Sequence, residues 1–316
     1  MPRNRFQLYP PALQDVGPTR RFIWLLILCL IGITLASFIS VAIGSLVFGF
    51  SMPELAGLAG NPNQPGALRV LQISQLFSSC GIFLFPPVML VYLQEVPIRK
   101  GLYLSDKPNM ILLILAMLLM WLQLPVINQL AAFNNLLVFP EFLKSVGDWM
   151  MAQEAQAAKL TELFLTMSSP FDFISSLLIM AFIPALGEEL LFRATLQPMF
   201  VKWTGKPHLA IWITAFVFSF IHFQFFGFLP RFLIGGFLGY LFYWSGSIWY
   251  PFVAHFANNG LAVLMYFLHQ HQVISLTTDN LGAGDFAYLH VLIALLILPF
   301  GLWFFKLKSD SIKLSS

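Results

Sequence analysis

The sequence predicts an all-α fold, a polytopic membrane bundle of about eight transmembrane helices. Three observations lead there. Of the 316 residues 58% are hydrophobic and only 10% charged, with 34 Phe, which is far from the balance of an average soluble domain. Eight apolar runs approach or reach bilayer length, at 22–50, 71–93, 110–130, 173–199, 209–226, 232–244, 248–268 and 291–305. The charged residues fall mostly between these runs. The sixth run is short and begins beside Pro230 and Arg231, so a tilt or a short re-entrant turn is expected there.

The first run follows Arg3, Arg5, Arg20 and Arg21 like the basic start of a signal peptide, but it is too long and lacks a small-x-small cleavage site, so it reads as a retained anchor. Residues 51–70, with Pro53, Pro62 and Pro65, read as an irregular external loop. The second and third runs carry Gln72, Gln75, Ser78, Ser79, Gln123 and Asn128, which are expected to hydrogen-bond between helices. Glu95, Arg99, Lys100, Asp106 and Lys107 form a solvated loop. From 141 to 167, Phe142, Val146, Trp149, Met150, Leu160, Leu163, Phe164 and Met167 recur at helical spacing. Lys144, Asp148, Glu154 and Glu162 lie mostly elsewhere on the wheel, so this segment reads as an interfacial helix or helix pair on the outer surface. Gly235 and Gly239 make a G-x-x-x-G pair suited to close helix approach. Cys29 and Cys80 lie inside apolar runs and form no disulfide or metal motif.

The basic residues orient the chain. With the N-terminus in the cytoplasm, that side holds Arg3, Arg5, Arg20, Arg21, Arg99, Lys100, Lys107, Arg193, Lys202, Lys206, Lys306, Lys308 and Lys313, against Arg69, Lys144, Lys159 and Arg231 outside. This predicts both termini in the cytoplasm. The net charge of +3 is an orientation signal, and nothing in its distribution points to nucleic acid. The chain divides into N-terminal helices with the amphipathic segment (1–170), a core (171–270), and a last loop, helix and basic tail (271–316), integrated as one membrane domain.

The stretch Gly187-Glu188-Glu189-Leu190-Leu191-Phe192-Arg193 stands out because each charge at the centre of a membrane helix costs on the order of 2.5–3.5 kcal/mol. Pro184 offers no N–H to the carbonyl of Met180, and Gly187 admits a close neighbour. At about 100° per residue Arg193 shares a face with Glu189, its natural ion-pair partner, whereas Glu188 points elsewhere, in apolar surroundings that suit proton transfer. Arg193 has the option of snorkelling to the interface. The other titratable groups inside the runs are His222, four residues after Phe218, and His255, four before Asn259. Convergence of Glu188, Glu189, His222 and His255 in one hydrated cavity is the economical arrangement. His208, His269, His271 and His290 read as interfacial, and Asn258 competes with Asn259 for any polar role.

Glu188-Glu189-x-x-x-Arg193, Phe218-x-x-x-His222 and His255-x-x-x-Asn259, in that order on successive apolar helices, resemble the CPBP family of CAAX prenyl endopeptidases and bacteriocin-processing or self-immunity (Abi) proteins. The match covers roughly 170–270. Ala194 stands where the family often has Gly. The resemblance implies an intramembrane glutamate protease of eight helices without a cofactor, in which Glu188 activates water with help from His222. His255 and Asn259 would hold the oxyanion, and Glu189 and Arg193 would fix the helix and tune Glu188. The expected substrate is a peptide or membrane protein, and the expected location the plasma (cell inner) membrane. The oligomeric state stays open. Two alternatives remain. Glu188, His222 and His255 are a possible three-ligand set for a catalytic zinc, although no H-E-x-x-H is present; or the chain is a non-catalytic membrane scaffold or immunity protein. A proton-coupled transporter would show internal repeats and paired broken helices, and neither is found.

Overall fold

The computed structural model describes residues 17–62, 64–94, 96–105, 107–134, 136, 139–275 and 287–315. Arg3, Arg5, Glu95 and Asp106 lie outside the described residues. The principal elements are α1 (Pro18–Leu46), α2 (Ala67–Leu93), α3 (Met110–Asn134), α4 (Lys144–Leu165), α5 (Pro170–Thr204), α6 (Pro207–Phe220), α7 (Phe228–Ser245), α8 (Trp249–Gln270) and α9 (Ala287–Ser315). No strand occurs among the described residues.

Each of the eight predicted apolar runs contributes helix, but not every one of these helices is long and apolar enough to count as a span by itself. Six helices, α1, α2, α3, α5, α8 and α9, are long and apolar enough to cross a membrane by themselves. α6 has 14 residues, about 21 Å of rise against a hydrocarbon core of about 30 Å. α7 carries Arg231 in its second turn, which lowers its apolar character. The two shorter helices lie against each other, because Gly235 and Gly236 leave no side chain in the way. A Cβ on Gly235 would sit 3.0 Å from the Ala215 Cα, and one on Gly236 2.5 Å from the Trp212 ring.

Proline decides where the long helices open. Without an N–H, and with a ring that crowds the carbonyl four residues back, each proline loosens the turn before it. The ladder accordingly widens to π-type bonding at Cys80–Leu84 before Pro86, at Leu177–Phe182 before Pro184 and at Leu190–Leu196 before Pro198. Two of the freed carbonyls find partners on other helices. Cys29 Sγ on α1 donates to the Ile82 carbonyl (3.9 Å), and Asn259 Nδ2 on α8 to the Met180 carbonyl (3.4 Å).

Two apolar cores flank the middle of α5. One joins α3, α7, α8 and α9 through Leu112, Met120, Leu238, Leu241, Tyr250 and Phe305. The other joins α1, α2, α5 and α6 through Leu25, Leu28, Leu90, Phe192, Met199 and Phe218. Hydrogen bonds expected between helices for Gln72 and Gln75 are instead local to α2, from Arg69 Nη1 to Gln72 Oε1 (2.9 Å) and from Gln75 Nε2 to Ser79 Oγ (3.2 Å). Their partners lie three and four residues away, the shortest reach on a helix.

The amphipathic segment forms a short 3₁₀ turn, Glu141–Leu143, followed by the single long helix α4. Its C-terminal end packs Leu165, with Met167 just beyond it, against Val263 of α8 and Phe173 and Leu177 of α5. Gln270 at the end of α8 secures it by accepting from the Met167 N–H (3.0 Å) and donating to the Leu165 carbonyl (2.9 Å).

Candidate active site

Glu188 and Glu189 are consecutive residues in the short α-helical stretch of α5 between two π-type turns. The helical step turns their carboxylates to different neighbours. Glu189 is fully buried, and its Oε1 accepts from Arg193 Nη1 (2.9 Å) and from His255 Nδ1 (2.8 Å). Arg193, also 0% exposed, donates through Nη2 to the Gly235 carbonyl (3.2 Å) and stacks over the Phe218 ring, 4.6 Å from its centroid. It therefore does not snorkel. A guanidinium held by a carboxylate, a carbonyl and an aromatic face has its partners inside the protein, and removing it from the cytoplasmic tally leaves the basic bias intact.

Glu188 is arranged otherwise. It is buried, yet among the described residues its carboxylate makes no hydrogen bond, and His255 Nε2 faces it at 3.9 Å. Gly187 lets α5 approach α2, since a Cβ there would lie 2.7 Å from Phe83 Cβ. Because a carboxylate only accepts, His255 Nδ1 must be the donor to Glu189, and its Nε2 is the nitrogen that faces Glu188.

His222 departs from the sequence reading. The apolar run 209–226 is not one helix: α6 ends at Phe220 and His222 lies in the turn beyond, followed by Phe223 in the left-handed region (φ 52°). His222 Nδ1 donates to the Phe218 carbonyl (2.7 Å), as only a carbonyl acceptor allows, which leaves Nε2 with its lone pair in the neutral ring. Phe218 links the parts, with its ring 5.2 Å from that of His222 and 6.0 Å from that of His255.

Asn259 lies one turn beyond His255 on α8. Its Nδ2 reaches the Met180 carbonyl that Pro184 leaves free, and its Oδ1 accepts from Asn258 Nδ2 (3.1 Å). Asn258 thus supports Asn259. Glu188, Glu189, Arg193 and His255 form one contiguous cluster, His222 borders it through Phe218, and Asn259 joins it through the opened backbone of α5. As a metal site the set does not fit: among the described residues no group of three or more His, Cys, Asp or Glu is placed to hold an ion. Sequence reasoning missed that Asn134, Glu154 and Arg231 contact the turn bearing His222. The helix-start signal of Gly227 before Pro230 was the one available hint that the chain breaks there.

Comparison with curated proteins and with solved structures finds no match. Residues 170–261 match the family model described as Rce1-like, type II CAAX prenyl endopeptidase Rce1-like. That stretch starts at the first residue of α5 and ends two residues beyond Asn259, so it contains the whole cluster. The stretch that holds the cluster is thus similar to the CPBP/CAAX protease family, and the chain around it is that of a multi-pass membrane protein.

Proposed function

We propose that the chain is an intramembrane endopeptidase that hydrolyses peptide bonds with a water activated by Glu188. The observation that carries this reading is the contrast between the two adjacent carboxylates. Glu189 is consumed by Arg193 and His255, whereas buried Glu188 has no hydrogen-bond partner among the described residues, which leaves its carboxylate to water or substrate. A carboxylate taken out of bulk water and left unbonded is costly to hold, and general-base work is a physical reason to keep it.

The chemistry follows from the donor and acceptor set. Water between Glu188 and the His222 Nε2 lone pair gives a proton to Glu188 while its oxygen attacks the carbonyl carbon of the substrate. The tetrahedral oxyanion is held by Asn259 Nδ2 and by His255 Nε2. To donate, the His255 ring must carry both protons, with Glu189 as counter-ion. Collapse breaks the C–N bond, and the proton on Glu188 passes to the leaving amine. Glu189 and Arg193 fix the position of Glu188 on α5. The substrate class is a peptide or a segment of a membrane protein, with C-terminal CAAX-type sequences the first to try. The location proposed from the basic bias is the plasma membrane, with both termini in the cytoplasm.

The test uses purified protein in detergent and quenched fluorescent peptides, prenylated CAAX-like ones included, each with and without a strong chelator. Wild type is expected to cleave indifferently to chelator, and Glu188→Gln to lose about 10²- to 10⁴-fold in kcat. Full activity in Glu188→Gln would sink the mechanism. Chelator-sensitive cleavage would replace it with metal chemistry, and a folded protein that cleaves none of the peptides would favour a scaffold.

A further inference from the structure

The turn 221–227 carries His222 but belongs to no regular element, so its backbone groups need partners from elsewhere. Side chains from three helices supply them residue by residue. Arg231 of α7 holds Gln224, donating to its carbonyl (3.0 Å) and its side-chain oxygen (3.2 Å). Asn134, the last residue of α3 and only 2% exposed, donates from Nδ2 to the carbonyls of Phe225 (2.8 Å) and Phe226 (2.5 Å). Glu154 of α4 accepts from the Phe226 N–H (3.3 Å), and Trp149, also on α4, lies 5.3 Å from the Phe225 ring.

We propose that Asn134 is a positioning residue for His222, the buried centre of a clamp that Glu154 completes from the amphipathic helix. The Phe225 carbonyl has a second donor in the Phe228 N–H, but among the described residues the Phe226 carbonyl takes its hydrogen bond from Asn134. Without that amide a half-buried carbonyl loses its protein donor, and the turn is released to shift toward another. His222 is four residues from Phe226 along the same irregular backbone, and its ring is held by one bond to Phe218. A shift of the turn therefore moves the imidazole or releases it to its other tautomer. α4 thereby becomes part of the site although none of its side chains reaches the reacting groups.

The kinetic half of this inference rests on the proposed endopeptidase activity, whereas the structural half does not, and one experiment separates them. Full-length protein is labelled with ¹⁵N-histidine in micelles, and the His222 signals are assigned by their disappearance in His222→Gln. Wild type should show the Nδ1-protonated, Nε2-bare pair. In Asn134→Leu, which keeps the branching at Cγ and removes the donors, the pair should collapse toward an exchange average while His255 keeps its shifts. On a cleaved peptide the same variant should lose about 10- to 100-fold in kcat, with KM within about twofold. If Asn134→Leu does not fold, Asn134→Ser and Glu154→Ala are read in the same way. Unchanged His222 shifts in a folded variant would overturn the clamp, whatever the peptide assay gives. A collapsed pair without cleavage in wild type would keep the clamp and remove the endopeptidase reading.

Discussion

Glu189 binds Arg193 and His255 through a single oxygen, and its other oxygen, like Arg193 Nε, is buried without a hydrogen-bond partner among the described residues. Such a pair is sensitive to the loss of one member, because the survivor is an uncompensated buried charge, a cost of about 3–5 kcal/mol. Arg193→Leu should therefore lower the thermal unfolding midpoint in detergent sharply, whereas Glu189→Leu with Arg193→Leu should recover most of the loss. A double variant no more stable than the single one would show that the pair is not a closed unit. Arg193→Lys should behave like the loss, since an ammonium lacks the fork that reaches both Glu189 and the Gly235 carbonyl. The division of labour between Glu188 and Glu189 was legible at this scale from the 100° step alone. The acceptor role of Gly235 was not, because a backbone carbonyl leaves no mark on the sequence.

α5 is a long helix loosened by its prolines, and Pro184 controls where Asn259 is anchored. Pro184→Ala restores the N–H that closes the ladder onto the Met180 carbonyl, displacing Asn259 Nδ2. The helix gains a bond while the site loses one. The expected outcome is an unfolding midpoint that does not fall together with a kcat reduced at least about tenfold; a fall in both, in equal proportion across a denaturant series, would assign Pro184 to folding alone. The opening at Met180 could be read from Pro184, whereas its capture by Asn259 could not. The break after Phe220 was hidden for a related reason. Ile221, Phe223, Phe225 and Phe226 continue the apolar composition through the turn, so hydropathy alone carries the helix past its end.

For the whole molecule the basic bias sets an expectation that α5 connects opposite faces of the membrane, with α4 outside and the α5–α6 turn in the cytoplasm. Single cysteines at exposed positions test it after Cys29 and Cys80 are replaced by Ala. In intact cells an impermeant maleimide should label Gln156→Cys on α4 and spare Lys206→Cys before α6, and inverted vesicles should give the opposite. The reverse pattern would invert the topology; labelling of both from one side would remove the span of α5 between them. The clamp on the turn 221–227 also belongs to this scale. Asn134 and Glu154 reach backbone atoms 91 and 72 residues away, a relation that no local pattern encodes.

The sequence by itself determined the helical membrane class, the apolar segments, the charged stretch on α5 and the three spaced motifs that mark the family. Each rests on a local rule, the cost of charge in hydrocarbon or the period of a helix. Only the tertiary structure decided that α6 stops short of His222, that Arg193 stays inside, that Glu189 is hydrogen-bonded while Glu188 among the described residues is not, and that α4 reaches the turn bearing His222. These depend on which buried donor meets which acceptor, and a chain settles that only when its helices are packed together.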